Sequence, residues 1–174
     1  METGLRGIDL GHRLIVAACA EMSKDERTTN LMKWSSLSPV PQFRQWIENE
    51  LSDHPDRISA IIGSENMNTF VELVQTKDPK LLPLFSTTLP KLLLDYLLNV
   101  KKSDGCTSCA VANFHIRNGA VLWRINFGAN ETPYGMAESL SLMVNYRYYM
   151  EDMWTNALQY QLDRTVPISD SLGC

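Results

Sequence analysis

At 174 residues, 44% hydrophobic and 21% charged, the chain has the profile of one soluble globular domain long enough to bury a core, not of a disordered segment. A formal net charge of -4 excludes the basic footprint of non-specific nucleic-acid binding, so no nucleic-acid partner is expected; a local cluster of donors can still hold an anion. The longest apolar region, Leu81 to Val100, is interrupted by Pro83, Pro90, Lys91 and Asp95 and predicts no membrane span, and Glu2, Arg6 and Asp9 break up any signal-peptide core.

From Asp9 to Met22 the apolar residues Leu10, Leu14, Ile15, Ala18 and Met22 recur at three- and four-residue spacing, which predicts an amphipathic helix. A polar stretch, Ser23 to Asn30, ends it. Leu31 to Leu37 reads as a short buried strand, stopped by Ser38-Pro39-Val40-Pro41 because proline cannot donate to a ladder. Helices are expected over Phe43 to Leu51, over Asn68 to Thr76 with Asn66 as cap, and from about Thr88 to Val100 with Pro90 in the first turn.

The loop 101–109 holds a formal C-x-x-C, Cys106-Thr107-Ser108-Cys109. No second ligand pair stands at zinc spacing, so the two read as incidental thiols. With Cys19 and Cys174 they are too few and too uneven for a disulfide framework, and the expected setting is reducing and intracellular. A brief helix, Ala110 to Arg117, is expected to close on Asn118-Gly119, since Gly takes the left-handed conformation without strain.

Then the period changes from helical to alternating. Val121, Trp123, Ile125 and Phe127 alternate with Leu122, Arg124 and Asn126, which predicts a strand. Past a turn-rich loop, Gly128 to Gly135, a second strand spans Met143 to Tyr149, with Val144, Tyr146 and Tyr148 on one face and Asn145 and Arg147 on the other. The two strands are expected to be antiparallel neighbours, and the order of elements gives an α+β chain.

Three stretches bear chemistry. Arg6-Gly7-Ile8-Asp9-Leu10-Gly11 opens the first helix, where free backbone N–H groups and the positive end of the dipole suit a pyrophosphate; plain capping explains Gly and Asp equally well there. Ser35-Ser36-Leu37-Ser38 puts hydroxyls at a strand end, a place for ligand contacts or simply for turn chemistry. His115 lies in the last turn of its helix, where an imidazolium would gain from the dipole; a catalytic role requires a polar partner within reach.

SSLSPVPQF (35–43), VANFHIRNGAVLWRINF (111–127) and LMVNYRYY (142–149), in this order, resemble the carboxy-terminal catalytic part of the malonyl-CoA decarboxylase family, and GLRGIDLG (4–11) resembles the segment just upstream. The resemblance runs from Gly4 to about Glu151, with the middle diverged and the last two dozen residues unmatched. It implies an acetyltransferase-type (GNAT-like) mixed sheet with a helical insertion. Within a single partial catalytic domain, residues 4–40 would form the CoA cradle, its helix and the strand ending at Ser38. Residues 41–109 would be the insertion, 110–151 the histidine helix and two strands, and 152–174 a tail.

The resemblance further implies that Arg6, Gly7, Ile8, Asp9, Leu10, Gly11 and His12 hold CoA together with Ser38 and His115. Asp9 stands where the acetyltransferase frame has glycine and where these decarboxylases carry an acid, so it joins Ser38, His115 and Tyr148 as a catalytic candidate. Loss of CO2 from malonyl-CoA leaves a thioester enolate, which needs hydrogen-bond donors and a proton, with no metal or cofactor. His115 could donate the proton or polarise the carbonyl, and Ser38 could bind the departing carboxylate or orient the imidazole. Asp9 and Tyr148 would then set the tautomer.

Cys109-Ala110 replaces the family's usual Asn-Pro or Asp-Pro, and His12 replaces a small hydroxyl residue. The family's amino-terminal helical domain and earlier strands have no counterpart here, which implies a fragment or a shortened homologue and an open sheet edge. The expected partner is malonyl-CoA, the expected assembly a homo-oligomer, and the expected location the mitochondrial matrix, peroxisome or cytosol. A GNAT-type acyltransferase and a non-catalytic CoA-binding remnant are the competing readings.

Overall fold

A computed structural model describes residues 10–24 and 34–172, the side chains of Leu10 and His12 excepted. The first helix, α1, covers Leu10–Met22, and β1 covers Trp34–Pro39. A helical block follows: α2 Phe43–Asp53, α3 Pro55–Ile62, α4 Met67–Thr76 and α5 Thr88–Asn99. Then come α6 Ala110–Arg117, β2 Val121–Asn126, α7 Pro133–Ser139, β3 Met143–Tyr148 and α8 Met153–Asp163. The α+β class holds.

The described sheet has three strands in the order β1-β3-β2, both pairings antiparallel. β1 does not stop before Ser38, as the prolines suggest; it runs on to Pro39, opposite Met143. A strand at the edge of the sheet can carry a proline whose missing N–H is not asked to pair. β2 and β3 are neighbours as expected, but the alternation along β2 is broken. Leu122 stands opposite Tyr146 and Arg124 opposite Asn145, so Trp123 is the extra residue of a bulge. Ile125 therefore faces Val144, on the same side as Leu122 and not with Val121.

α3 and α7 were not foreseen, although both carry local start signals. Pro55 occupies the first turn of α3, with Ile58 and Ile62 buried four residues apart. Thr132 caps α7, its hydroxyl accepting from the Gly135 N–H at 3.1 Å, with Pro133 next. Gly135 falls inside a helix because a Cβ there would strike the carbonyl of Asn130.

The core lies between the sheet and the helical block. Leu89, Leu92, Leu93 and Leu97 of α5 are fully buried, each worth about 2 kcal/mol over exposure. Phe43, Trp46 and Tyr96 form an aromatic cluster with centroids 5.0–5.8 Å apart. Arg57 clamps α3 to α5 with two bonds to Asp95, at 2.8 and 3.2 Å.

The residues read as a tail are part of this body. α8 packs on α6, and the stretch behind it closes the free edge of β2: the Leu122 N–H donates to the Pro167 carbonyl at 2.8 Å, and the Ser169 N–H to the Leu122 carbonyl at 3.0 Å.

Candidate active site

Residues directly opposite in an antiparallel pair share a face. Ser38 stands opposite Val144, Ser36 opposite Tyr146, and Trp34 opposite Tyr148, so two serine hydroxyls and two tyrosine rings project to one side of the sheet. α6 crosses that side.

Both ends of α6 are fixed. At its start Cys109 is the N-cap, its Sγ accepting from the Ala112 N–H at 3.5 Å, and Cys106 is buried beside it. Cys109 is thus more than an incidental thiol: it stands in for an Asn or Asp cap. At the other end the Gly119 N–H donates to the Ile116 carbonyl at 2.9 Å and the Ala120 N–H to the His115 carbonyl at 3.0 Å, with Gly119 at φ 85°. That is the Schellman closure expected of Asn118-Gly119.

α8 then locks the helix in place. The Tyr160 hydroxyl donates to Asn113 Oδ1 at 3.0 Å and accepts from the Thr107 N–H at 2.9 Å; Asn156 Nδ2 donates to the Gly119 carbonyl at 3.3 Å.

His115 is held in this frame. Its Nε2 lies 2.9 Å from Ser38 Oγ and 3.5 Å from Ser36 Oγ, and its Nδ1 lies 2.6 Å from the Tyr148 hydroxyl. Ser38 donates to Ser36 Oγ at 2.9 Å. The Tyr146 ring stacks on the imidazole, centroids 4.5 Å and planes 14° apart, and Phe114 meets it edge-on at 5.3 Å.

Burial pushes the His115 pKa down to about 4, so the ring is neutral at pH 7. The helix-end reading, in which the dipole stabilises an imidazolium, is overruled by desolvation. Burial also drives the Tyr148 hydroxyl well above the ordinary phenol range, with a smaller contribution from Cys19 of α1, so it keeps its proton.

The structure thus gathers three expected residues, Ser38, His115 and Tyr148, into one hydrogen-bonded line. Gly11 lies against the histidine helix: a Cβ on it would come within 2.9 Å of the Asn118 amide and 3.1 Å of Phe114, so α1 starts against the end of α6. Leu10 is the first residue of α1. Arg6, Gly7, Ile8 and Asp9, and the side chain of His12, lie outside the described residues. Among the described residues no three His, Cys, Asp or Glu side chains converge as metal ligands would.

Two contributors went unrecognised in the sequence. Tyr146 was read only as part of a strand face. Asn145 donates to the Ser36 carbonyl at 2.8 Å and accepts from Asn126 Nδ2 at 2.8 Å, pinning the serine strand from the other face. An Asn beside aromatic strand residues was the available signal.

Residues 1–173 match the family described as malonyl-CoA decarboxylase C-terminal domain, so the match reaches past Glu151 into the segment read as unmatched. The chain is 34% identical over 189 residues to the mitochondrial malonyl-CoA decarboxylase of Anser anser anser, covering 98% of this chain and 37% of that protein. Against the mitochondrial enzyme of Mus musculus it is 34% identical over 189 residues, with 98% and 38% covered.

Among solved structures, malonyl-CoA decarboxylase from Rhodopseudomonas palustris has a TM-score of 0.81 at 28% identity, covering 97% of this chain and 38% of that one. The Agrobacterium vitis enzyme gives 0.77 at 31%, covering 98% and 41%. The chain spans less than half the length of these relatives.

Proposed function

The chain belongs to the malonyl-CoA decarboxylase family, and from that premise we propose that it carries out this family's carbon–carbon lyase chemistry, turning malonyl-CoA into acetyl-CoA and CO2 in fatty-acid metabolism. The observation that carries this reading is the line Ser38–His115–Tyr148, set on a wall of buried aromatic rings.

In this reaction the bond from Cα to the carboxylate breaks. Its electron pair flows into the thioester carbonyl, giving an enolate, and a proton returns to the carbon. The thioester itself is the electron sink, so the protein needs only donors at the developing oxyanion and a proton source, without metal or cofactor. His115 donates from Nε2 to the enolate or delivers the proton, which water then restores to the ring, while Tyr148 keeps its own proton and holds Nδ1 by a hydrogen bond. Ser38 sits against the carboxylate that leaves. The apolar wall lowers the local dielectric, which strengthens each donor and favours conversion of a carboxylate into neutral CO2.

CoA would lie along the start of α1, with Arg6, Gly7, Ile8, Asp9, Leu10, Gly11 and His12 as its cradle and Asp9 close to the reacting centre. The position of Gly11 against α6 supports this, since it brings the helix start to the end of the histidine helix. Assembly into homo-oligomers and a location in the mitochondrial matrix, peroxisome or cytosol belong to the same reading; the mitochondrial relatives favour the first location.

Incubating the purified chain with malonyl-CoA tests the proposal. Release of CO2 and acetyl-CoA, lost in Ser38→Ala and His115→Asn, is expected. Acetylation of an amine from acetyl-CoA without decarboxylation would replace it with the acyltransferase reading. CoA binding with neither reaction would leave a binding remnant.

A further inference from the structure

Ser36, Ser38 and His115 Nε2 form a triangle. Ser38 Oγ is 2.9 Å from Ser36 Oγ and 2.9 Å from Nε2, and Ser36 Oγ is 3.5 Å from Nε2. A hydroxyl has one proton; the Ser36–Ser38 pair suits Ser38 as its donor, while the contact of Ser38 with Nε2 suits either direction. With that proton given to Ser36, an unprotonated Nε2 would face a lone pair of Ser38 Oγ at 2.9 Å with no hydrogen between them. A proton on Nε2 removes this conflict, pointing at Ser38 Oγ and in part at Ser36. Nδ1 is then the bare nitrogen, which accepts from the Tyr148 hydroxyl at 2.6 Å.

We propose that Ser36 is a positioning residue: by taking the hydroxyl proton of Ser38 it holds His115 in the Nε2–H tautomer, so that the proton faces the serine side of the site and the Tyr148 hydroxyl lies behind the ring. The functional meaning rests on the decarboxylase reading, in which Nε2 is the donor. The tautomer itself does not. Three contacts favour Ser36 for this task. Its carbonyl is pinned by Asn145, which is pinned by Asn126, and its strand neighbour Tyr146 clamps the imidazole plane. Among the described residues the hydroxyl partners of Ser38 are Ser36 and His115 alone.

Without Ser36, the Ser38 proton has one acceptor left, Nε2 itself. The line then reverses: Ser38 donates to Nε2, Nδ1–H donates to Tyr148, and the ring presents a lone pair where a proton stood.

The test is a long-range 1H–15N correlation spectrum of the His115 ring at neutral pH in the wild-type chain, Ser36→Ala and Ser36→Thr, beside malonyl-CoA kinetics and a thermal melt. The wild type should show a pyrrole-type Nε2 and a pyridine-type Nδ1. In Ser36→Ala the two signals should exchange or average, with kcat down at least tenfold and KM within about twofold; Ser36→Thr, which keeps the hydroxyl, should restore both. A wild-type ring protonated at Nδ1, or a Ser36→Ala protein with unmoved ring signals, would overturn the proposal whatever its melt or turnover. Because the spectrum is read without substrate, a tautomer change in a chain that releases no CO2 supports the role of Ser36 and counts only against the reaction.

Discussion

Tyr146 lies parallel to His115, ring centroids 4.5 Å apart, while its own hydroxyl is buried without a hydrogen-bond partner among the described residues. The ring covers one face of the imidazole, removes water from it, and so penalises the imidazolium. The hydroxyl adds nothing to this and costs desolvation. Tyr146→Phe should therefore keep the low His115 pKa and leave stability unchanged or raised by about 1 kcal/mol. Tyr146→Leu should move the pKa back toward 6.5 and destabilise the fold by about 1–3 kcal/mol. An NMR titration of His115 with a melt for each variant checks both; equal titration of Phe and Leu variants would refute the stacking account.

The pH dependence of stability follows from the same burial. The pKa of His115 is about 4 in the fold against 6.5 unfolded, so between these values the unfolded chain binds more protons, and stability must rise with pH across that window. Its contribution is complete above about pH 6.5 and is lost as the pH falls toward 4. Solvent still reaches part of the ring, which limits the effect to about 1–2 kcal/mol. Urea unfolding at pH 7, 6 and 5 should show this decline, and His115→Asn should remove that share of the slope.

Ser38 and His115 should behave as one unit in turnover. Ser38→Ala and His115→Asn are each expected to cost a large part of kcat, and the double variant to be little worse than the poorer single, because groups acting together are not additive. CoA affinity should barely change. A His115→Asn protein turning over normally per folded molecule would mean that the histidine serves packing alone.

Gly119 carries two constraints at once. Its φ is 85°, and a Cβ would run into the backbone carbonyl of Met153 at the start of α8. Gly119→Ala should cost more than about 2 kcal/mol, beyond the left-handed penalty itself, because α8 must also move. A drop in melting temperature, with weaker amide-exchange protection in α6, is the expected measurement.

Gly11→Val should weaken CoA binding at least tenfold, about 1.4 kcal/mol, if the backbone at the start of α1 approaches the pyrophosphate. The added side chain also meets Asn118 and Phe114, so binding and melting are read together. Unchanged affinity in the folded fraction would remove Gly11 from the cradle.

What the residues alone determined is local. Helix α6 was legible to the residue because its stop is written in Asn118-Gly119, and β3 to within one residue because its aromatic face alternates strictly. The family, too, was legible, since three separated motifs stand in order. Where a signal had two meanings, tertiary context chose. Pro39 is tolerated because β1 lies at the edge of the described sheet, and the bulge at Trp123 exists because Leu122 and Ile125 must both face the core.

The site itself belongs to tertiary structure. Ser38 and His115 are 77 residues apart, and only the pairing of β1 with β3 beneath α6 closes that distance to 2.9 Å. The charge of His115 was equally beyond local reading. A helix end favours the imidazolium, and the neutral form prevails only because Tyr146 and its neighbours strip the ring of water. Burial is a property of what packs against a residue, and no stretch around His115 encodes it.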